Sequence, residues 1–151
     1  MMHRWAALLV VLALSAFMPR ETAAQGPPTS GRERSNGSLK QNFPNPFNPE
    51  TRIPFDIGDP PTCTDSGRQY RVSLRIYNLL AQLVAVPLLQ GGSGGVAGGE
   101  PLENKLLTCN SYTAYWDGKY LNSSREVASG VYLYQLTIDG RPIVKKMIVM
   151  K

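Results

Sequence analysis

Asp56 and Asp59 flank Gly58, and Asp65 follows closely. Carboxylates so near one another could serve acid–base chemistry or hold calcium. The spacing is not that of an EF-hand loop, and aspartates beside glycine at a strand end are common turn formers. These residues are therefore read as turn aspartates, with no metal assigned. Histidine, the usual general base and commonest metal ligand, occurs once, as His3. Residues 1–24 read as a removable leader, so the mature chain is expected to have no imidazole. Without one, a Ser-His-Asp or Cys-His site cannot be built, and zinc would have only cysteines and carboxylates. The expectation is a protein that is not an enzyme, with no catalytic residues, no metal and no cofactor.

Cys63 and Cys109 are the two cysteines. In an exported chain a disulfide between them is the expected pairing, with two buried free thiols as the alternative. They form no Cys-x-x-Cys motif, which argues against a redox pair. "QGGSGGVAGGEP", residues 90–101, contains a loose G-x-G-x-x-A match at Gly92, Gly94 and Ala97. A dinucleotide site also needs a helix directly after the motif, and Gly98, Gly99 and Pro101 prevent one. The stretch is read as a flexible loop. Lysine and arginine are scattered, with Lys145-Lys146 the only adjacent pair, so no nucleic-acid partner is expected; with no convergent set of reactive side chains, no small-molecule substrate is expected either. Asn36-Gly37-Ser38 and Asn122-Ser123-Ser124 fit the glycosylation triplet.

The leader has Arg4, then an uncharged apolar run at residues 5–17, then Thr22-Ala23-Ala24. This is the pattern of a signal peptide cleaved before Gln25. An uncleaved anchor is the alternative, though the run falls short of the roughly twenty residues that span a bilayer. The expected location is outside the cytoplasm: periplasmic, cell-surface or extracellular. Cleavage removes Arg4, Arg20 and Glu21, so the net charge drops from +5 to +4. Residues 25–38, rich in Ser, Gly, Pro and charge, read as a disordered linker.

The remainder must form strands. With 12 prolines and 14 glycines punctuating it, the chain offers no clear amphipathic helix. From Arg52 the apolar period is two. In "QYRVSLRIYN", Tyr70, Val72, Leu74 and Ile76 fall on one face. Further strands are read at residues 53–57, 82–89, 104–116, 130–138 and 143–150, with a tight hairpin at Asp139-Gly140. Pro87 lacks an N–H, so its strand lies at an edge or ends early. Trp116 is placed in the core or at its edge, because it continues an alternating run with Tyr112. Both faces of the last strand are apolar, so its orientation is left open. Short strands separated by turns indicate an all-β sandwich of six strands, or seven if residues 104–116 break.

"LKQNFPNPFNPETRIPFDI", "VSLRIYNLLAQLV", "YWDG", "VASGVYLYQL" and "KKMIVMK" follow one another in a familiar order. Over residues 39–151 the chain resembles the C-terminal sorting domain of type IX secretion cargo, a relative of the FlgD Ig-like domain family of flagellar hook caps. The resemblance implies an Ig-like sandwich of antiparallel strands. It also implies a non-enzymatic exported module that engages translocation or surface-attachment machinery. Asn42, Phe43, Pro44, Asn45, Pro46, Phe47, Asn48 and Pro49, with Lys146 and Met147 of the last strand, are the expected partner-binding residues. Proline fixes φ and favours an extended residue before it, so the segment is expected to be stiff, with Phe43, Phe47 and Phe55 anchoring it. The alternative is that it only covers one end of the core. Ala81 stands where the family has glycine, and the glycine-rich loop and the cysteines lie outside its pattern. In the family a cargo domain comes first, whereas here a leader and linker do. That favours an alternative role as a structural or assembly subunit joined through edge strands.

Overall fold

Alternation of apolar and polar side chains decides the architecture. The computed structural model describes residues 36–91 and 98–151. The expected signal peptide (residues 1–24), residues 25–35 of the expected linker, and residues 92–97 of the glycine-rich loop lie outside these residues. Among the described residues there is no helix, and the strands are β1 Gly37–Leu39, β2 Thr51–Ile57, β3 Gln69–Tyr77, β4 Leu83–Ala85, β5 Leu88–Leu89, β6 Lys105–Thr108, β7 Asn110–Trp116, β8 Gly130–Ile138 and β9 Arg141–Val149. They build two antiparallel sheets, one ordered β1-β2-β7-β5 and the other β4-β3-β8-β9, with β6 also paired to β3. The fold is an all-β sandwich.

Every second residue of the long strands points between the sheets. Ile53, Phe55 and Ile57 of β2 and Tyr112, Ala114 and Trp116 of β7 meet Val72, Leu74 and Ile76 of β3 and Tyr132, Tyr134, Leu136 and Ile138 of β8 in one buried cluster. The face predicted for β3 is thus the buried one. In β9, Met147 and Val149 are buried, while Val144 and Ile148 are exposed. The hairpin fixes this choice. Asp139 and Gly140 both have positive φ (49° and 81°), as a two-residue primed turn requires. The turn sets Ile138 opposite Arg141, and so sets the facing of every residue that follows.

Among the described residues nine strands replace the expected six or seven, because two apolar runs change sheets and β1 is added. Residues 82–89 divide at Pro87: β4 pairs with β3, and β5 pairs with β7 in the other sheet. Residues 104–116 divide at Cys109: β6 pairs with β3, and β7 pairs with β2. Alternation reads the same in either sheet, so the sequence does not announce the crossing. The ninth strand, β1, begins within the stretch read as linker. Gly37 and Ser38 pair with Ile57 and Asp56. An edge strand of this kind needs only backbone groups, which a polar composition does not forbid.

Asp56 lies within β2 rather than in a turn. Its carboxylate accepts from Ser38 Oγ (3.0 Å), Lys40 Nζ (2.9 Å) and Ser111 Oγ (2.7 Å). Burial alone would raise its pKa, but these donors outweigh it and hold the carboxyl below the ordinary aspartate value. Asp59 and Asp65 are turn residues as expected. Asp59 accepts from Cys63 N through its carbonyl (3.1 Å) and from Thr64 N through Oδ1 (3.1 Å), and the Asp65 carbonyl accepts from Arg68 N (3.3 Å).

Cys63 and Cys109 form a disulfide across 46 residues of sequence. It joins the β2–β3 connection to the corner where the chain changes sheets. By chain entropy, closing a loop of that length is worth about 4 kcal/mol. Replacing both cysteines by alanine is expected to lower the unfolding free energy by about 2–4 kcal/mol in a urea titration; an unchanged midpoint would contradict this.

The β3–β4 turn is held by Asn78, whose Oδ1 accepts from Leu80 N (2.9 Å) and Gln82 N (3.0 Å). Ala81 in this turn has φ of 59°, the left-handed conformation that suits glycine. Ala81→Gly is expected to stabilise the protein by about 1 kcal/mol, read as an upward shift of the denaturation midpoint.

Candidate functional site

Residues 40–50 leave β1 in one sheet, pass along the edge of β9 in the other, and return to start β2. Backbone and side chains pin them at both ends. The Tyr134 hydroxyl, wholly buried in the sandwich, donates to Lys40 O (2.9 Å) and accepts from Asn42 N (3.1 Å). Burial pushes this phenol above the ordinary tyrosine value, and the Asn42 N–H offsets only part of that. Asn42 Nδ2 donates to Pro44 O and to Thr51 Oγ1, both at 3.0 Å, and Thr51 Oγ1 donates to Pro44 O at 3.0 Å. Phe43 and Arg52 exchange backbone hydrogen bonds of 2.8 Å. Among the described residues no buried side-chain N or O atom lacks a partner.

The far half of the segment is fastened to β9. Phe47 N donates to Ile148 O (3.1 Å), Met150 N donates to Phe47 O (3.0 Å), and Ile148 N donates to Asn45 Oδ1 (3.0 Å). The Phe47 ring meets Trp116 edge-on at 5.5 Å, and Trp116 meets Tyr132 edge-on at 6.0 Å. Such edge contacts add to the gain from burying large rings. Trp116 Nε1 donates to Lys119 O (2.9 Å), which places the residue at the core edge as predicted. The peptides before Pro44, Pro46 and Pro49 are cis.

Gly118 links this segment to the Trp-Asp-Gly turn. It has φ of +73°, and a Cβ there would lie 2.1 Å from Pro49 O. Only glycine fits under that carbonyl. Just past the end of β9, Ser129 Oγ accepts from Lys151 N (3.0 Å) and Lys151 Nζ pairs with Glu126 (2.5 Å). The Ala-Ser-Gly stretch therefore anchors the chain after β9.

The expected partner-binding residues divide by face. Asn42, Phe47 and Met147 are buried. Their roles are structural: Asn42 organises the turn, Phe47 fills the aromatic cluster and Met147 belongs to the core. This corrects their assignment to a contact surface. Pro44, Asn45, Pro46, Asn48, Pro49 and Lys146 are exposed. Phe43, expected as an anchor with Phe47 and Phe55, is instead 72% exposed, whereas Phe55 is buried and stacks on Tyr112 at 5.7 Å. The Phe43 backbone pairs with Arg52, which turns the ring outward. Nothing in the sequence singles out Tyr134, Thr51 and Gln41, which help hold the segment; Gly118 is legible only as part of a Trp-Asp-Gly turn. Tyr134 looked like one more inward residue of an alternating strand, and only its hydroxyl distinguishes it.

A cleft of about 230 Å³ lies beside Ala85, Leu88, Tyr115, Tyr120 and Asn122. Its charged residues Asp117 and Lys119 pair with each other at 3.3 Å. Among the described residues no cluster of three or more His, Cys, Asp or Glu side chains could hold a metal ion. Compared with known proteins, the chain matches no family model, no curated protein and no solved structure.

Tyr134→Phe would leave Lys40 O and Asn42 N unpaired beneath the segment. A loss of about 1–3 kcal/mol is expected in chemical denaturation, with the strand content of the folded protein unchanged.

Proposed function

We infer that this chain is a non-enzymatic exported module of the type IX sorting kind, and that machinery for translocation or surface attachment engages residues 43–49. The observation that carries this reading is the contrast within one short segment. Asn42 and Phe47 are fixed by buried contacts, while Phe43, Pro44, Asn45 and Pro46 stand on the surface between them. A segment already held in place loses little conformational entropy on docking. An aromatic ring 72% exposed on such a frame gives a partner an apolar handle. The ordered motifs of the sequence support the same reading, and a disulfide, which persists in oxidising compartments, supports its export part alone.

The test fuses residues 36–151 behind a signal peptide and a reporter in a host that has type IX secretion. The reporter is expected at the cell surface or in the medium. Phe43→Ala should lower export several-fold without moving the denaturation midpoint, because the ring contributes little burial. A reporter that stays periplasmic, or export indifferent to Phe43 and Pro44 changes, would overturn the reading.

A further inference from the structure

β9 ends its sheet, and its outer edge is only partly covered. Ile148 exchanges hydrogen bonds with the lead-in segment through Asn45 Oδ1 and Phe47 N. Even-numbered residues of β9 therefore turn their N–H and C=O away from β8, while odd-numbered ones face it, as an antiparallel ladder requires. By the same alternation Pro142, Val144 and Lys146 also present their backbone outward. Lys146 O is engaged by Gln41 Nε2 at 3.1 Å. Pro142 has no N–H to offer. Among the described residues, that leaves the Val144 N–H and C=O, the Lys146 N–H and the Pro142 C=O without a partner.

We propose that this edge pairs with a second copy of the chain, antiparallel, about a two-fold axis at Val144. In that register Val144 N–H donates to the C=O of the partner's Val144, and Lys146 N–H donates to the C=O of the partner's Pro142, each reciprocally. Every open group is satisfied. The two groups a regular ladder would still need, a Pro142 N–H and a free Lys146 C=O, fall opposite each other, where one does not exist and the other is occupied. Moving the axis one residue towards Pro142 leaves the Val144 C=O without a donor. Moving it the other way points the Val144 N–H at the engaged Lys146 carbonyl. Side chains agree with the central register. Val144, 50% exposed, meets its own symmetry mate, Lys146 lies beside the partner's Pro142, and Lys145 beside the partner's Ile143. No lysine stands directly opposite another, the arrangement that like charges across a ladder would penalise.

The pairing is independent of which machinery reads Phe43. Sedimentation equilibrium of the oxidised chain over a rising concentration series tests it. Reversible dimerisation is expected. Val144→Pro deletes an outward N–H at an edge, where proline is tolerated, and should abolish dimerisation while circular dichroism stays unchanged. Pro142→Ala combined with Gln41→Ala restores the missing N–H and frees the Lys146 carbonyl, adding a reciprocal pair of hydrogen bonds. That double variant should dimerise at least tenfold more tightly than either single variant. A chain that stays monomeric throughout, in wild type and double variant alike, would overturn the proposal and leave the edge for a strand of another protein. Dimerisation indifferent to the double variant would also overturn it, by placing the contact elsewhere.

Discussion

A hydroxyl with nowhere to meet water ties the lead-in segment to the sandwich. Tyr134 brings its phenol from the middle of β8 to the backbone on either side of Gln41, donating to Lys40 O and accepting from Asn42 N. A buried hydroxyl without partners costs free energy, and so does a buried backbone N–H. Each removes the other's penalty only if the chain passes at this point. From there Asn42 and Thr51 close the turn, Phe47 reaches Trp116, and Pro49 comes to rest on Gly118. The asparagines and prolines thus form a fixed path from one sheet to the other rather than a loose connection.

That path also explains why the two ends of β9 behave differently. Where the segment runs, at Ile148 and Met150, the edge is closed by hydrogen bonds to Asn45 and Phe47. Where it does not run, at Val144, the backbone remains open. Lysines at 145 and 146 are of the kind that discourages indiscriminate strand addition. An edge that is open over so few residues, between a proline and an occupied carbonyl, discriminates sharply by register. Its chemistry suits a self-complementary contact better than a general one.

The corners where the chain changes sheets carry the remaining constraints. Pro87 lies between β4 and β5, and its carbonyl accepts from Leu102 N at 2.9 Å. Cys109 lies between β6 and β7 and is tied to Cys63. The disulfide thus fixes a point where the chain leaves one ladder and has not yet joined the next. Gly58, with φ of +71°, lies so close that a Cβ would stand 2.9 Å from Cys109 Sγ.

How much of this was legible depends on how local each determinant is. The inward faces of β3 and β8, the Asp139-Gly140 hairpin and the position of Trp116 follow from side-chain alternation and turn chemistry within a few residues. The orientation of β9 does not, since both its faces are apolar and the hairpin's parity chooses between them. Phe43 and Phe47 look equivalent in the motif, yet backbone pairing with Arg52 turns one outward, and the bond to Ile148 seats the other against Trp116. Gly37 and Ser38 read as linker because an edge strand uses backbone groups that composition does not display. The sequence alone determined that strands would alternate, turn and bury one face each, because those preferences belong to neighbouring residues. Tertiary structure alone decided which sheet each strand joined, which aromatic ring stayed in water and which backbone groups were left open, because each depends on partners brought together from distant parts of the chain.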